Sequence, residues 1–165
     1  MKKYVFKPYS ARFPTLFLAE KARISERISE CIDIQHVGST AVPGLGGKGI
    51  IDIAIAIDPS DTHKVSAKLQ ELGYEFRKNG STEERLFFRA DLPDEEESKR
   101  RYHVHLTFPD SKECKNLLLF RDYLRAHPNV AKEYAKLKKE AAELANENGP
   151  EYRRLKAHIF KQILE

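Results

Sequence analysis

The chain of 165 residues holds two cysteines, one methionine and no tryptophan, and these scarcities remove whole classes of protein. Cys31 and Cys114 have neither the number nor the spacing of a disulfide framework or a zinc site. Both fall in apolar-patterned segments, where a thiol serves as a small core side chain. No apolar run approaches the ~20 residues that a membrane-spanning helix needs. The first residues carry positive charge, but Lys7 and Pro8 interrupt any apolar stretch before a secretory leader could form, so the expected location is the cytoplasm. Neither sign of charge dominates: 29 basic against 25 acidic residues leave a net charge of +4, with the signs interspersed rather than gathered into a basic stripe. That balance disfavours duplex nucleic acid and favours a small anionic ligand.

What is present is a globular composition, 41% hydrophobic and 33% charged, at a length suited to one domain over residues 1–165. The spacing of Phe13, Leu16, Phe17, Ile24 and Ile28 predicts a helix over residues 10–29, with Ser10 as its N-cap. A short strand over 32–37 then leads into a glycine-rich connection, residues 36–49, that reads as too flexible for regular structure. The strongest strand follows at 50–57. A helix begins at Asp58-Pro59-Ser60-Asp61, carries Val65, Leu69 and Leu72 on one stripe, and is closed by Gly73. Strands are expected at about 74–78, 84–90 and 101–108, and the acidic run of residues 91–100 between the last two reads as a solvated hairpin loop without a role. Helices are expected at about 111–126, 128–146 and 150–164. Five strands with flanking helices make an α/β (α+β) domain with a C-terminal helical segment.

Strand alternation locates the chemistry. Ile51, Ile53, Ile55 and Ile57 point to one face and need helices over them, while Asp52, Ala54 and Ala56 point to the other. A carboxylate followed by two small residues leaves room for a ligand. The same rule puts His103, His105 and Thr107 on one face of their strand, and Arg85, Phe87 and Arg89 on one face of theirs. In a shared sheet Asp52, His103, His105, Arg85 and Arg89 share an open face. The glycine-rich connection supplies the matching half: backbone N–H groups of Gly38, hydroxyls of Ser39 and Thr40 and the charge of Lys48 can hold a phosphate.

The block His36-Val37-Gly38-Ser39-Thr40-Ala41-Val42-Pro43-Gly44-Leu45, then Lys48 and Ile50-Ile51-Asp52-Ile53, resembles the hallmark of the GrpB family, also called the uncharacterised protein family 0157. Further along, Arg89, His103-Val104-His105, the run Phe120-Arg121-Asp122-Tyr123-Leu124-Arg125-Ala126-His127-Pro128, Tyr134, Lys138, Tyr152 and Lys156 fall in the order that family shows. The resemblance implies a nucleotidyltransferase-like fold, whose signature is Gly-Ser followed by a strand with two carboxylates one residue apart. The first maps to Asp52; at the second position stands Ala54. Relatives occur fused to dephospho-coenzyme A kinases, which implies a service role as readily as an enzyme.

These observations give one leading expectation and one alternative. In the first, Gly38, Ser39, Thr40, Lys48, Arg89, Arg121 and Lys156 hold the phosphates of a nucleotide or other phosphate-bearing ligand. Asp52, His103 and His105 then act as catalytic residues and as ligands of Mg²⁺ or Mn²⁺. In the second, the chain is a non-catalytic module that binds a nucleotide or a protein partner and assists another enzyme. Structural readings stand beside the functional ones: Gly38 and Ser39 as a tight turn with a capping hydroxyl, Asp52 paired to Arg89 or capping the turn, His103 and His105 solvent-exposed or hydrogen-bonded, Arg121 paired to Asp122 or a nearby glutamate, and Lys156 reaching out to water.

Overall fold

The computed structural model describes residues 6–145 together with Arg154 and Lys161. At its centre is the strand that alternation marks most strongly, β2 (Ile51–Ala56), whose Ile51, Ile53 and Ile55 are fully buried together with the following Ile57. Helices cover that face, as their spacing requires. α1 (Arg12–Arg27) turns Phe13, Phe17 and Ile24 toward it and α2 (Thr62–Glu71) turns Val65 and Leu69, all in one apolar cluster. α1 begins later than the serine suggests. Ala11 is its N-cap, and the Ser10 hydroxyl instead accepts from Arg12 N in the preceding turn (3.2 Å). One 3-10 turn, Pro59–Asp61, separates Asp58 from α2, and the Asp58 carboxylate accepts from Ser60 N at 2.9 Å.

Five strands lie in the order β1-β2-β5-β4-β3, where β1 is Asp33–Val37, β3 is Glu75–Thr82, β4 is Arg85–Pro93 and β5 is Lys99–Thr107. Only β2 and β5 pair in parallel. A parallel neighbour needs a crossover, and the excursion through α2, β3 and β4 supplies it.

The β4–β5 hairpin is longer than expected, which corrects the reading of residues 91–100 as a solvated loop. Pairing continues through Asp91↔Arg101 and Leu92↔Arg100 to Pro93↔Lys99. The remaining turn folds around Asp94, whose side chain is 1% exposed and accepts from Arg12 and Arg100 and from the backbone N–H groups of Glu96 and Glu97. Arg100 is buried as well and donates to Gly49 O at 2.8 Å. The loop glutamates are also engaged, Glu96 with Arg12 and Glu97 with Lys7.

α3 (Lys112–Ala126) starts where the Ser111 hydroxyl accepts from Cys114 N, and α4 (Pro128–Ala145) follows after His127. Their Phe120, Leu124, Ala131 and Tyr134 form a second apolar cluster with Val42 and Leu45 of the glycine-rich connection. The helical pair therefore fixes the segment that the sequence left loose. The helix expected at 150–164, and Lys156 within it, lie outside the described residues.

Candidate functional site

The glycine-rich connection is ordered from its first residue. Gly38 leaves β1 at φ 77° and ψ −173°, and Ser39–Ala41 closes one 3-10 turn with Ala41 N bonded to Gly38 O and Val42 N to Ser39 O, both 3.1 Å. Positive φ alone favours glycine here, and a β-carbon at Gly38 would also collide with the Asp52 carboxylate. The sequence reads the Gly38 turn and Asp52 as two halves of one site joined by a flexible connection; in the fold Gly38 lies against Asp52.

Thr40 does not offer its hydroxyl to a ligand. It is 1% exposed, and its Oγ1 donates to Ile50 O (3.1 Å) and lies 2.9 Å from His36 Nε2. One hydroxyl proton serves one acceptor, so His36 Nε2–H donates to Thr40, and the two side chains tie β1 to the entry of β2. Burial pushes the His36 imidazole down to about 4, with Asp52 acting against the shift and Arg125 and Arg121 adding to it. The ring is neutral and stacks on Phe17 at 4.8 Å.

Ser39 faces a group absent from the expected site. Its Oγ and Lys138 Nζ both lie 2.8 Å from the point that a β-carbon on Gly47 would occupy. Lys138 is 3% exposed, an ammonium brought by α4 to the Gly-Ser turn. Lys138 follows Tyr134 by four residues on the inward seam of α4, a spacing that buries it without saying what it meets. Lys48, in the same segment, is half-buried.

On the sheet, register assembles the predicted row. Asp52 pairs with His103 and Ala54 with His105, and across β4 His103 pairs with Arg89 and His105 with Phe87. The Asp52 Oδ1 oxygen lies 3.1 Å from His105 Nε2 and 3.4 Å from His103 Nδ1. Arg89 shares the row, but the polar partners of Asp52 are the two imidazoles, so the Asp52–Arg89 pair is not formed. Burial alone would raise the Asp52 carboxyl. Contacts with His103 and His105 more than reverse that and hold it ionised well below the ordinary carboxylate range. Burial pushes His103 down, with Asp52 opposing. The room foreseen above Ala54 and Ala56 is closed, as these residues are 4% and 7% exposed, whereas the Asp52 side chain keeps 21%. The accessible end of the face is the Asp52 end, beside the turn.

Arg121 takes the structural role weighed for it. Its guanidinium donates to Asp122, to Gln35 Oε1 (2.7 Å) and to His36 O (3.1 Å), clamping α3 to β1. Arg125, one turn on, donates to Ala41 O at 2.8 Å and supports the 3-10 turn from below.

The donor set defines which ions it suits. His105 Nε2–H donates to Asp52, and Nδ1, on the other side of the ring, is buried and without a hydrogen-bond partner among the described residues. Carboxylate and Nδ1 thus point apart. Among the described residues no three His, Cys, Asp or Glu side chains are grouped to hold a metal ion. The clamp of clustered carboxylates that two metal ions need is likewise not provided, Ala54 standing at the second position. A single hard cation that fills most of its shell with phosphate oxygens and water needs only Asp52. No helix among the described residues is long and apolar enough to cross a membrane.

Comparison with known proteins gives the family and the fold. The family model described as GrpB protein matches residues 3–165. A UPF0157 protein of Pseudomonas aeruginosa is 36% identical over 159 residues, covering 95% of this chain and 64% of its own length. UPF0157 protein YqkA of Bacillus subtilis is 36% identical over 137 residues, 81% of this chain and 38% of its own. The chain therefore spans less than two thirds of either relative. Among solved structures, conserved protein GrpB from Enterococcus faecalis superposes with a TM-score of 0.76 at 24% identity, covering 98% of this chain and 100% of that one. Cid1 poly(U) polymerase bound to MgATP gives 0.52 at 18% identity, over 80% of this chain and 45% of that one. Both are likenesses of fold, and the fold is nucleotidyltransferase-like.

Proposed function

Starting from a chain that belongs to the GrpB family, we propose that it binds a nucleotide or similar phosphate-bearing ligand between the Gly38–Ser39 turn and Asp52. The observation that carries this reading is the contact of Gly38 with Asp52 beside a serine hydroxyl and a buried lysine. Glycine at that point keeps the turn's backbone close to a carboxylate. Lys138 and Lys48 supply positive charge, Ser39 a hydroxyl donor, and the backbone N–H groups of the turn further donors for anionic oxygens. Asp52 would repel phosphate alone. Mg²⁺ or Mn²⁺ arriving with the phosphates would rest on Asp52 and neutralise that repulsion. His103 and His105 orient the carboxylate and keep it ionised.

Cid1 poly(U) polymerase, solved with MgATP, lends the nucleotide reading an analogy of fold. Ala54, small and buried where the superfamily signature has a second carboxylate, favours a second reading: a nucleotide-binding module that assists another enzyme, without rapid transfer of its own.

Thermal unfolding with and without MgATP or magnesium tripolyphosphate tests the proposal. At one hundred times the dissociation constant, ligand should stabilise the wild type by about 2.7 kcal/mol, a melting shift on the order of 5–10 °C for this size. Ser39→Ala should shrink the shift and Asp52→Asn abolish it for the magnesium complexes. A wild type that does not respond, or variants that respond as fully as the wild type, would overturn the reading.

A further inference from the structure

Phe87 projects to the polar face of the sheet. On β4 its neighbours Leu86 and Phe88 pack into the helix-covered core, with Phe88 fully buried, whereas Phe87 belongs to neither apolar cluster among the described residues. A lone half-exposed phenyl is common and by itself means nothing. Here the neighbouring strand is shaped around it. β3 leaves regular pairing between Arg77 and Thr82, and within that irregular stretch Gly80 takes φ +99°. A β-carbon on Gly80 would stand 3.3 Å from Phe87 Cδ1, so the strand backbone lies alongside the ring. Ser81 Oγ accepts from Phe87 N at 2.9 Å and donates to Arg77 O at 2.7 Å, which locks the irregularity at the height of Phe87.

The two histidines of the site hold the ring from the other strand. His103 meets it at 4.7 Å and 72°, and His105 at 5.5 Å and 51°. These are edge and tilted contacts, so neither imidazole is stacked parallel to the phenyl ring. The side chains that flank Asp52 thus also hold Phe87. From β2 to β4 is two strand spacings, about 10 Å, a distance that a nucleoside polyphosphate can bridge with its phosphates at one end and its base at the other.

We infer that Phe87, set by the Gly80 irregularity and by His103 and His105, is the platform on which the nucleobase of the bound ligand stacks. This rests on the phosphates binding at the Gly38–Ser39 turn. The ligand is then a nucleotide rather than a bare polyphosphate or sugar phosphate. Every base offers a π face, so the platform selects for a base without selecting strongly among bases.

Calorimetric titration of ATP, UTP and inorganic tripolyphosphate, each with Mg²⁺, into the wild type, Phe87→Leu and Phe87→Trp tests this. The wild type should bind both nucleotides roughly tenfold more tightly than tripolyphosphate. Phe87→Leu should lose that advantage while keeping its affinity for tripolyphosphate. Phe87→Trp should keep it, with indole fluorescence quenched by nucleotide and not by tripolyphosphate, and this variant decides the matter if Phe87→Leu fails to fold. Equal affinity for nucleotide and tripolyphosphate, an advantage that survives Phe87→Leu, or an unquenched indole would overturn the stacking role and leave the phosphate site standing. A wild type that binds none of the three would overturn the phosphate site, and the stacking role with it.

Discussion

Asp94 and Asp52 are carboxylates with side chains 1% and 21% exposed, and the protein furnishes them in opposite ways. Asp94 is saturated: Oδ1 accepts from Arg12 and Arg100, and Oδ2 from the backbone of Glu96 and Glu97 and again from Arg100. Asp52 has two imidazoles near one oxygen, while its other oxygen lies against Gly38 and takes no hydrogen bond among the described residues. A saturated carboxylate with two guanidinium partners holds a hairpin closed. A carboxylate with one oxygen left open beside a glycine turn and a buried lysine is what the proposed ligand site requires. The difference teaches that a charge withdrawn from water and saturated by its own fold has no capacity left for a ligand, whereas Asp52 keeps an oxygen open for the one proposed.

The comparison breaks most visibly at Asp94. Asp94→Ala leaves Arg100 buried without its carboxylate partner, a change that costs about 3–5 kcal/mol and on the order of 10 °C in melting temperature. The ligand-induced shift should persist in whatever fraction remains folded, which thermal unfolding with and without MgATP measures directly. Next in size is Gly38→Ala. A β-carbon at positive φ costs roughly 1–2 kcal/mol, and the collision with Asp52 adds to it, so this variant should melt earlier and also lose its response to MgATP. A Gly38→Ala chain with an undiminished response would remove the turn from the site.

Acid acts on the fold in two windows. His36 is buried neutral with its imidazole lowered to about 4, against an ordinary value near 6.5. The unfolded chain takes up that proton first, so stability falls as pH drops from about 6.5 and this loss is complete near about 4. Asp94 is held well below the usual carboxylate range: burial alone would raise it, and its backbone and guanidinium donors outweigh that. Its stabilisation is full above the unfolded value of about 3.9 and is lost at lower pH still. Urea unfolding from pH 7 downward should show both stages, with His36→Gln reducing the first, which the lowered His103 shares, and Asp94→Asn reducing the second, which the lowered Asp52 shares. The smallest effect on the fold belongs to Asp52→Asn. Its amide oxygen can still accept from His105, so the expected cost is about 1 kcal/mol, far less than at Asp94. A loss as large as that of Asp94→Ala would make Asp52 a structural residue.

Much of this was legible in the chain. The isoleucine alternation of β2 named both the buried face and the face carrying Asp52, and alternation on β5 brought His103 and His105 to the same row, because a two-residue period survives any error in strand ends. Lys138 escaped because its position depends on how α4 returns over the turn, and no local pattern states that. Asp94 and Arg100 escaped because an acidic loop looks solvated until the distant partners Arg12 and Gly49 are known. Thr40 was misjudged for a related reason: a hydroxyl in a glycine-rich turn offers itself to a ligand or to the turn, and only the fold, through His36 and Ile50, decides between them.

Backbone amide NMR of the labelled protein during titration with magnesium tripolyphosphate tests the central claim most directly, since it reports which N–H groups the anion reaches. The amides of Gly38 and Ser39 should shift most, while those of the Asp94 turn stay still. Shifts centred on the Asp94 turn or on α2, or no saturable shift at the Gly38–Ser39 turn, would contradict the account.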